Sequence, residues 1–278
     1  LLHLALAVAT VSLAACETNP TTGRSQFNLL SRDQEVQMGS ELQPQFVQES
    51  GGEITDQVIR QYVSNLGNQL AAQTEADNPS LPWTFTVLNS QEINAFALPG
   101  GKVFITVGLL KEMTNEAQLA AVLGHEVGHV TARHVSERIG QAGIADIVIQ
   151  AAAAGVGAAT DSSVATEVAG TAFNYGGQMV VLKFSRDQES ESDSLGMRYM
   201  TKLGYDPRGA LQVQEILQRA MAASGGRGLE IMATHPYPET RIQRIQAELK
   251  KSPYKDMVGN PQYRLGEAEF RQAVLSRL

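Results

Sequence analysis

The feature that most constrains this chain is His125-Glu126-Val127-Gly128-His129, set in the apolar run AAVLGHEVGHV at residues 120–130. Leu119, Val122, Leu123, Val127 and Val130 give the segment the pattern of a buried helix. It is expected to open near Asn115, with Gln118 three residues on, and to close at Gly140. Two histidines four residues apart share one helix face, their Cβ atoms about 5–6 Å apart. Polar side chains inside a buried helix need partners, and imidazoles at this spacing reach one Zn²⁺ at about 2.0–2.1 Å. Glu126 lies about 100° round the helix from His125. There a carboxylate can take the proton of a metal-activated water without being a ligand itself.

A catalytic zinc takes three protein ligands and keeps one position open. The histidine-rich continuation of one large class would need Gly at 132 and His at 135, and the chain has Ala132 and Val135. His134, beside Arg133 and Arg138, reads as a solvated cation favouring the C-terminal end of the helix. Glu189 is the best remaining third ligand. It stands four residues before Asp193 in ESESD, which suits a metal-bound oxygen plus an acceptor for the outer N–H of a ligand imidazole. On its own, RDQESESD would be a solvated charged face. The pentapeptide SRDQE also occurs at 31–35, but there Gly39 stands where the second copy has Asp193, and capping chemistry accounts for the repeat.

The rest of the chain reads as mainly helical with a small sheet. Ser31 and Gln34 form one capping-box pattern, Ser185 and Gln188 another. Residues 53–75 place Ile54, Val58, Tyr62, Leu66 and Leu70 at four-residue spacing, the mark of one helix face. WTFTVLN (83–89) and KVFITV (102–107) read as strands, with Pro99-Gly100-Gly101 as a turn between them. Residues 141–180 are rich in Ala and Gly and predict small-residue helices packed closely on the core. Helices are expected to Gly204 and over 207–223 and 238–250. The tail 251–278 is polar, with a last short helix at 267–278.

At this point the chain resembles a known family. NAFALPGGKVFITVGLL (94–110), AAVLGHEVGHV (120–130), SRDQESESDSLG (185–196), GYDP (204–207) and HPYPETRI (235–242) occur in its order. They are similar to the zinc peptidase family of the CaaX prenyl proteases, HtpX and the Oma proteases, in its periplasmic lipoprotein branch. The resemblance implies an α+β, mainly helical, zincin-like domain with a small β-sheet beside the HExxH helix, spanning 27–250. It implies one zinc on His125, His129 and Glu189, Glu126 as the catalytic base, and Asp193 supporting a ligand. It also places NAFALPGG as an edge strand where substrate adds, with Asn94, Ala95 and Phe96 as substrate-binding residues. His235 and Arg241 match residues with catalytic or gating roles.

Residues 1–15, LLHLALAVATVSLAA, carry no formal charge and have the length of a secretory signal's apolar region. The run ends at Cys16, the one cysteine of the chain, and Leu13-Ala14-Ala15-Cys16 resembles a bacterial lipobox. A lipid on Cys16 would anchor the mature protein to a membrane. By resemblance to enterobacterial lipoproteins, Glu17 rather than Asp after the cysteine implies the outer membrane, and 16–26 reads as a short tether in the periplasm. The net charge of −7 and the absence of a Lys/Arg cluster make nucleic acid an unexpected partner. The expected activity is hydrolysis of internal peptide bonds in misfolded or unassembled envelope proteins. The competing reading is a non-catalytic, zinc-stabilised chaperone or assembly factor for outer-membrane proteins, which would have no need of Glu126.

Overall fold

A computed structural model describes residues 16–75, 78–141, 183–225, 228–236 and 238–278. The apolar leader at 1–15 and all but Gln141 of the small-residue stretch 141–180 lie outside the described residues. In chain order, a hairpin of β1 (Cys16–Thr18) and β2 (Ser25–Phe27) leads into helices α1 (Arg32–Glu49) and α2 (Gln57–Ala71). Strands β3 (Thr84–Leu88), β4 (Ala95–Leu98) and β5 (Lys102–Thr106) follow, then a short α3 (Val107–Glu112) and the HExxH helix α4 (Glu116–Thr131). Beyond residue 182 come α5 (Arg186–Lys202), α6 (Arg208–Ala223), α7 (Ile231–Thr234), α8 (Pro238–Leu249) and α9 (Glu267–Ala273). The architecture is α+β and mainly helical, as expected.

Both SRDQE copies are capping boxes. The Ser31 and Ser185 hydroxyls accept from the backbone N–H groups of Gln34 and Gln188, whose side chains accept from the serine N–H groups in return. Asn115 caps α4 by accepting from the Gln118 N–H. In the three-stranded sheet β5 is central, parallel to β3 and antiparallel to β4, with Thr84 opposite Lys102 and Ala95 opposite Ile105. The turn between β4 and β5 is Gly100-Gly101, both at positive φ, where a side chain would be strained. Strand β4 is an edge strand, packed beside α4.

Four sequence expectations change. The α2 face is Ile59, Val63, Leu66 and Leu70, while Val58 is 44% exposed. A strict four-residue spacing drifts by about 40° per step against the 3.6-residue turn, so the expected series lies off the buried face at Val58 and reaches it only at Leu66 and Leu70. Helix α4 ends at Thr131, not at Gly140, because Arg133 takes a left-handed φ of 57° and the chain restarts as helix at His134. The segment 16–26 is not a loose tether but a hairpin docked on the end of α4. Asn19 Nδ2 donates to the Thr131 carbonyl at 3.0 Å and Gln26 Nε2 to the Ala132 carbonyl at 2.7 Å, filling acceptors that a helix end leaves open. The tail 251–278 also belongs to the domain. Phe270 and Val274 are fully buried, and the carbonyls of Leu265 and Gly266 accept from the first N–H groups of α4.

The contact that places the site is the crossing of α4 and α5. A Cβ at Gly196 would lie 2.8 Å from the His125 backbone nitrogen, one at Gly124 3.1 Å from the Gly196 carbonyl oxygen, and one at Gly128 3.0 Å from Ser192 Oγ. Ser192 Oγ donates to the His125 carbonyl at 3.0 Å, so the two backbones meet almost directly. Gly196→Val should therefore force the helices apart, at about 1–3 kcal/mol of overpacking. In a metal-free thermal melt we expect a Tm lower by about 2–4 °C per kcal/mol. Gly228→Val, at a position with open space around it, should leave Tm nearly unchanged.

Candidate metal centre

Four side chains from three places in the chain converge. His125 and His129 project from one face of α4, Glu189 comes from the first turn of α5, and His235 follows α7. One donor atom from each lies within 4.8 Å of every other, and all four residues are buried. His125 Nε2 is 3.0 Å from His129 Nε2 and 3.3 Å from His235 Nδ1. Glu189 Oε1 is 3.0 Å from His235 Nδ1 and 3.5 Å from His129 Nε2. This set of donors could hold one metal ion. From the sequence, His125, His129 and Glu189 are expected as ligands and His235 as a loop imidazole able to take the position they leave open; the structure brings all four together.

Glu126 points beside this cluster. Its Oε2 is buried without a hydrogen-bond partner, and its Oε1 lies 3.6 Å from His235 Nε2, itself buried and unpartnered. Two orphaned polar atoms facing one place are an expensive arrangement unless something else binds there. A cavity of about 30 Å³ opens alongside, bounded by Val122, Glu126, Val213, Leu217, His235 and Arg241. It has room for a water or two.

The charges around the donors are paired with care. Arg241, buried on α8, grips Asp193 with two hydrogen bonds, Nη2 to Oδ1 at 2.6 Å and Nε to Oδ2 at 2.9 Å. Its Nη1 is 2.8 Å from Glu189 Oε2. Asp193 Oδ1 in turn lies 3.0 Å from His125 Nδ1. Burial alone would raise the Asp193 carboxyl, but the Arg241 charge and hydrogen bonds from His125 and Arg241 hold it down at about 2. Arg241 Nη2 also approaches His125 Nδ1, at 3.2 Å, so a carboxylate and a guanidinium meet the same imidazole nitrogen. Burial pushes His129 well below the ordinary histidine range, which keeps it neutral and able to offer a lone pair.

His134 corrects the sequence reading. It is fully buried rather than solvated, with Nδ1 2.9 Å from His129 Nδ1 and Nε2 3.0 Å from Glu191. Its neighbour Arg133 is turned inward by Glu35, which accepts from Arg133 Nε at 2.9 Å and also takes the Ser136 hydroxyl. The first SRDQE copy therefore ends in a buried, partnered glutamate too, but one that holds the break after α4. Gly39, one turn on, passes close under the Pro99 carbonyl.

Of the substrate-binding candidates, Asn94 is buried with Oδ1 unpartnered. Ala95 is fully buried, and the Phe96 ring packs on Phe104 and Phe46 at centroid distances of 4.7 and 5.5 Å. The Ala95 and Phe96 side chains are engaged in packing, so what β4 presents outward is its backbone edge. Cys16 opens β1, opposite Phe27.

Residues 59–249 match peptidase family M48. The chain belongs to that family. It is 33% identical over 230 residues to the beta-barrel assembly-enhancing protease of Escherichia coli strain K12, covering 82% of this chain and 46% of that protein. It is 31% identical over 240 residues to the mitochondrial metalloendopeptidase OMA1 of Schizosaccharomyces pombe, covering 85% and 67%. The beta-barrel assembly-enhancing protease of Yersinia pestis is 31% identical over 232 residues, covering 83% and 47%. The chain thus spans about half the length of the assembly-enhancing proteases it matches. Family membership implies a metal, and the buried donors suit one.

Removing the buried guanidinium should expose how the cluster is balanced. Arg241→Gln leaves Glu189 and Asp193 without their cation, at about 3–5 kcal/mol for breaking a buried pair. We expect the chelated variant to unfold at clearly lower denaturant than the chelated parent, and added divalent metal to recover part of the loss.

Proposed function

We propose that this chain is a zinc-dependent endopeptidase whose metal is held by His125, His129 and Glu189, with Glu126 as general base. One observation carries the reading: four buried donors converge on a point beside a carboxylate oxygen that has no partner. Donors bonded to zinc at about 2.0–2.1 Å in a tetrahedron would stand about 3.3 Å apart. Five of the six separations here, with Glu189 Oε2 taken toward His125 and Oε1 toward His129 and His235, run from 3.0 to 3.6 Å, and all six lie within 4.8 Å. Two histidines and a carboxylate are a common donor set for catalytic zinc.

Zinc, when bound, supplies Lewis acidity toward a water and the scissile carbonyl. Glu126 takes the proton of the attacking water and delivers it to the leaving amine. Asp193 holds His125 in the tautomer that offers Nε2, and Arg241 keeps Asp193 and Glu189 ionised and in place. The free edge of β4, a terminal strand of its sheet starting next to Asn94, aligns the substrate backbone as an added strand. His235 would hold the fourth position in the resting protein. The geometry favours this gate over a role as oxyanion donor, since His235 Nδ1 sits among the ligand atoms at 3.0 Å from Glu189.

The substrates we propose are misfolded or unassembled envelope proteins, in keeping with relatives whose names record β-barrel assembly. No helix among the described residues is long and apolar enough to cross a membrane. We place the protein in the periplasm, held at the outer membrane by a lipid on Cys16.

Glu126→Gln should bind zinc like the parent and lose casein hydrolysis, because the ligands survive and the base does not. Equal turnover by the variant would refute the assignment, and would leave the metal-stabilised assembly factor as the better account. His235→Ala separates gate from donor. Loss of a gate should raise basal casein hydrolysis, whereas loss of an oxyanion donor should lower it about 10²–10³-fold.

A further inference from the structure

His129 does not stand alone. Its Nε2 faces the other donors, while its Nδ1 lies 2.9 Å from His134 Nδ1. His134 Nε2 lies 3.0 Å from Glu191 Oε2. Glu191 is gripped from its far side by Arg24, with Nε donating to Oε1 at 2.9 Å and Nη2 to Oε2 at 2.8 Å. Arg24 belongs to the turn between β1 and β2, the hairpin whose Asn19 and Gln26 cap the end of α4. A continuous chain of hydrogen bonds therefore runs from the N-terminal hairpin to a proposed zinc ligand.

The chain has one consistent proton assignment. Arg24 can only donate, so Glu191 accepts from it as a carboxylate and accepts again from His134. That puts the His134 proton on Nε2. His134 is fully buried, and a neutral imidazole with its proton on Nε2 offers Nδ1 as an acceptor. The His129 proton must then sit on Nδ1, and Nε2 is left as a bare lone pair directed at the cluster. Phe184 stacks on the His129 ring at 4.0 Å between centroids and blocks its rotation. Asp193 meets His125 Nδ1 directly; His129 Nδ1 reaches its carboxylate through a second imidazole.

We infer that Arg24, Glu191 and His134 are positioning residues that hold His129 in its metal-binding tautomer, so that the hairpin following Cys16 completes the zinc site. The inference rests on His129 being a zinc ligand, and the test separates the two. Zinc dissociation constants, measured by chelator competition on the full chain, should rise about 10–100-fold for His134→Phe, the usual effect of losing a partner of a metal-bound imidazole. His134→Gln, whose amide oxygen can accept from His129 and whose nitrogen can donate to Glu191, should recover most of the loss. Arg24→Ala, at the more exposed end, should weaken zinc by a few-fold.

A second readout does not depend on metal. Nitrogen-15 NMR of the metal-free protein should show His129 protonated on Nδ1, and in His134→Phe shifted toward the Nε2-protonated form. Unchanged zinc affinity and tautomer in His134→Phe, with zinc lost in His129→Ala, would overturn the inference and leave the ligand intact. Unchanged affinity in His129→Ala would overturn the ligand assignment itself. Should His134→Phe fail to fold, Arg24→Ala and Glu191→Gln decide the matter, and parental zinc affinity in both would overturn the inference.

Discussion

Everything at the centre depends on how closely α4 and α5 approach. Burial of apolar surface drives helices together but is not directional; it would be satisfied by many registers. The glycines at 124, 128 and 196 admit only one close crossing, because each meets backbone or a short side chain at about the limit of contact. The Ser192 bond to the His125 carbonyl then locks the register. Once the helices are seated this way, the i,i+4 pair on one and the first turn of the other face the same point. The candidate metal centre is a consequence of a backbone fit made right beside its two histidines on α4 and one to two turns along α5 from Glu189.

The remaining parts of the chain close that point from outside. The N-terminal hairpin covers the carbonyl end of α4, the C-terminal tail covers its N–H end, and α8 lowers a guanidinium between two carboxylates. Buried ion pairs add little net stability against apolar packing. Arg241 is better understood as a spacer of charge, keeping Glu189 and Asp193 ionised and apart so that each holds its own partner.

The parts legible in the sequence were those set by neighbours a turn or less away. Both capping boxes, the His125/His129 pair, the Gly100-Gly101 turn and the strand composition of 84–88 and 102–106 are local statements, and local physics settled them. Glu189 was legible only because Asp193 stood one turn on. What stayed hidden depends on contacts far along the chain. The α4 break at Arg133 is held by Glu35, Glu17 and the Leu30 carbonyl, and no pattern near residue 133 announces it. His134 looked solvated because its partners Glu191 and Phe184 come from the other side of residue 182. Val58 shows the same limit in miniature: spacing gives a period, while the phase is decided by what the helix packs against.

The seat of His235 carries a kinetic consequence. An imidazole tethered by a few residues to α7 and α8 is present at its site at an effective concentration that no free chain in solution reaches. If His235 is the gate proposed above, a client would have to displace it before any bond could be broken, and the displaced imidazole would return quickly once the client left. Brief visitors would depart before the exchange was made, whereas chains that linger would not. Such an arrangement would sort by dwell time rather than by residue sequence.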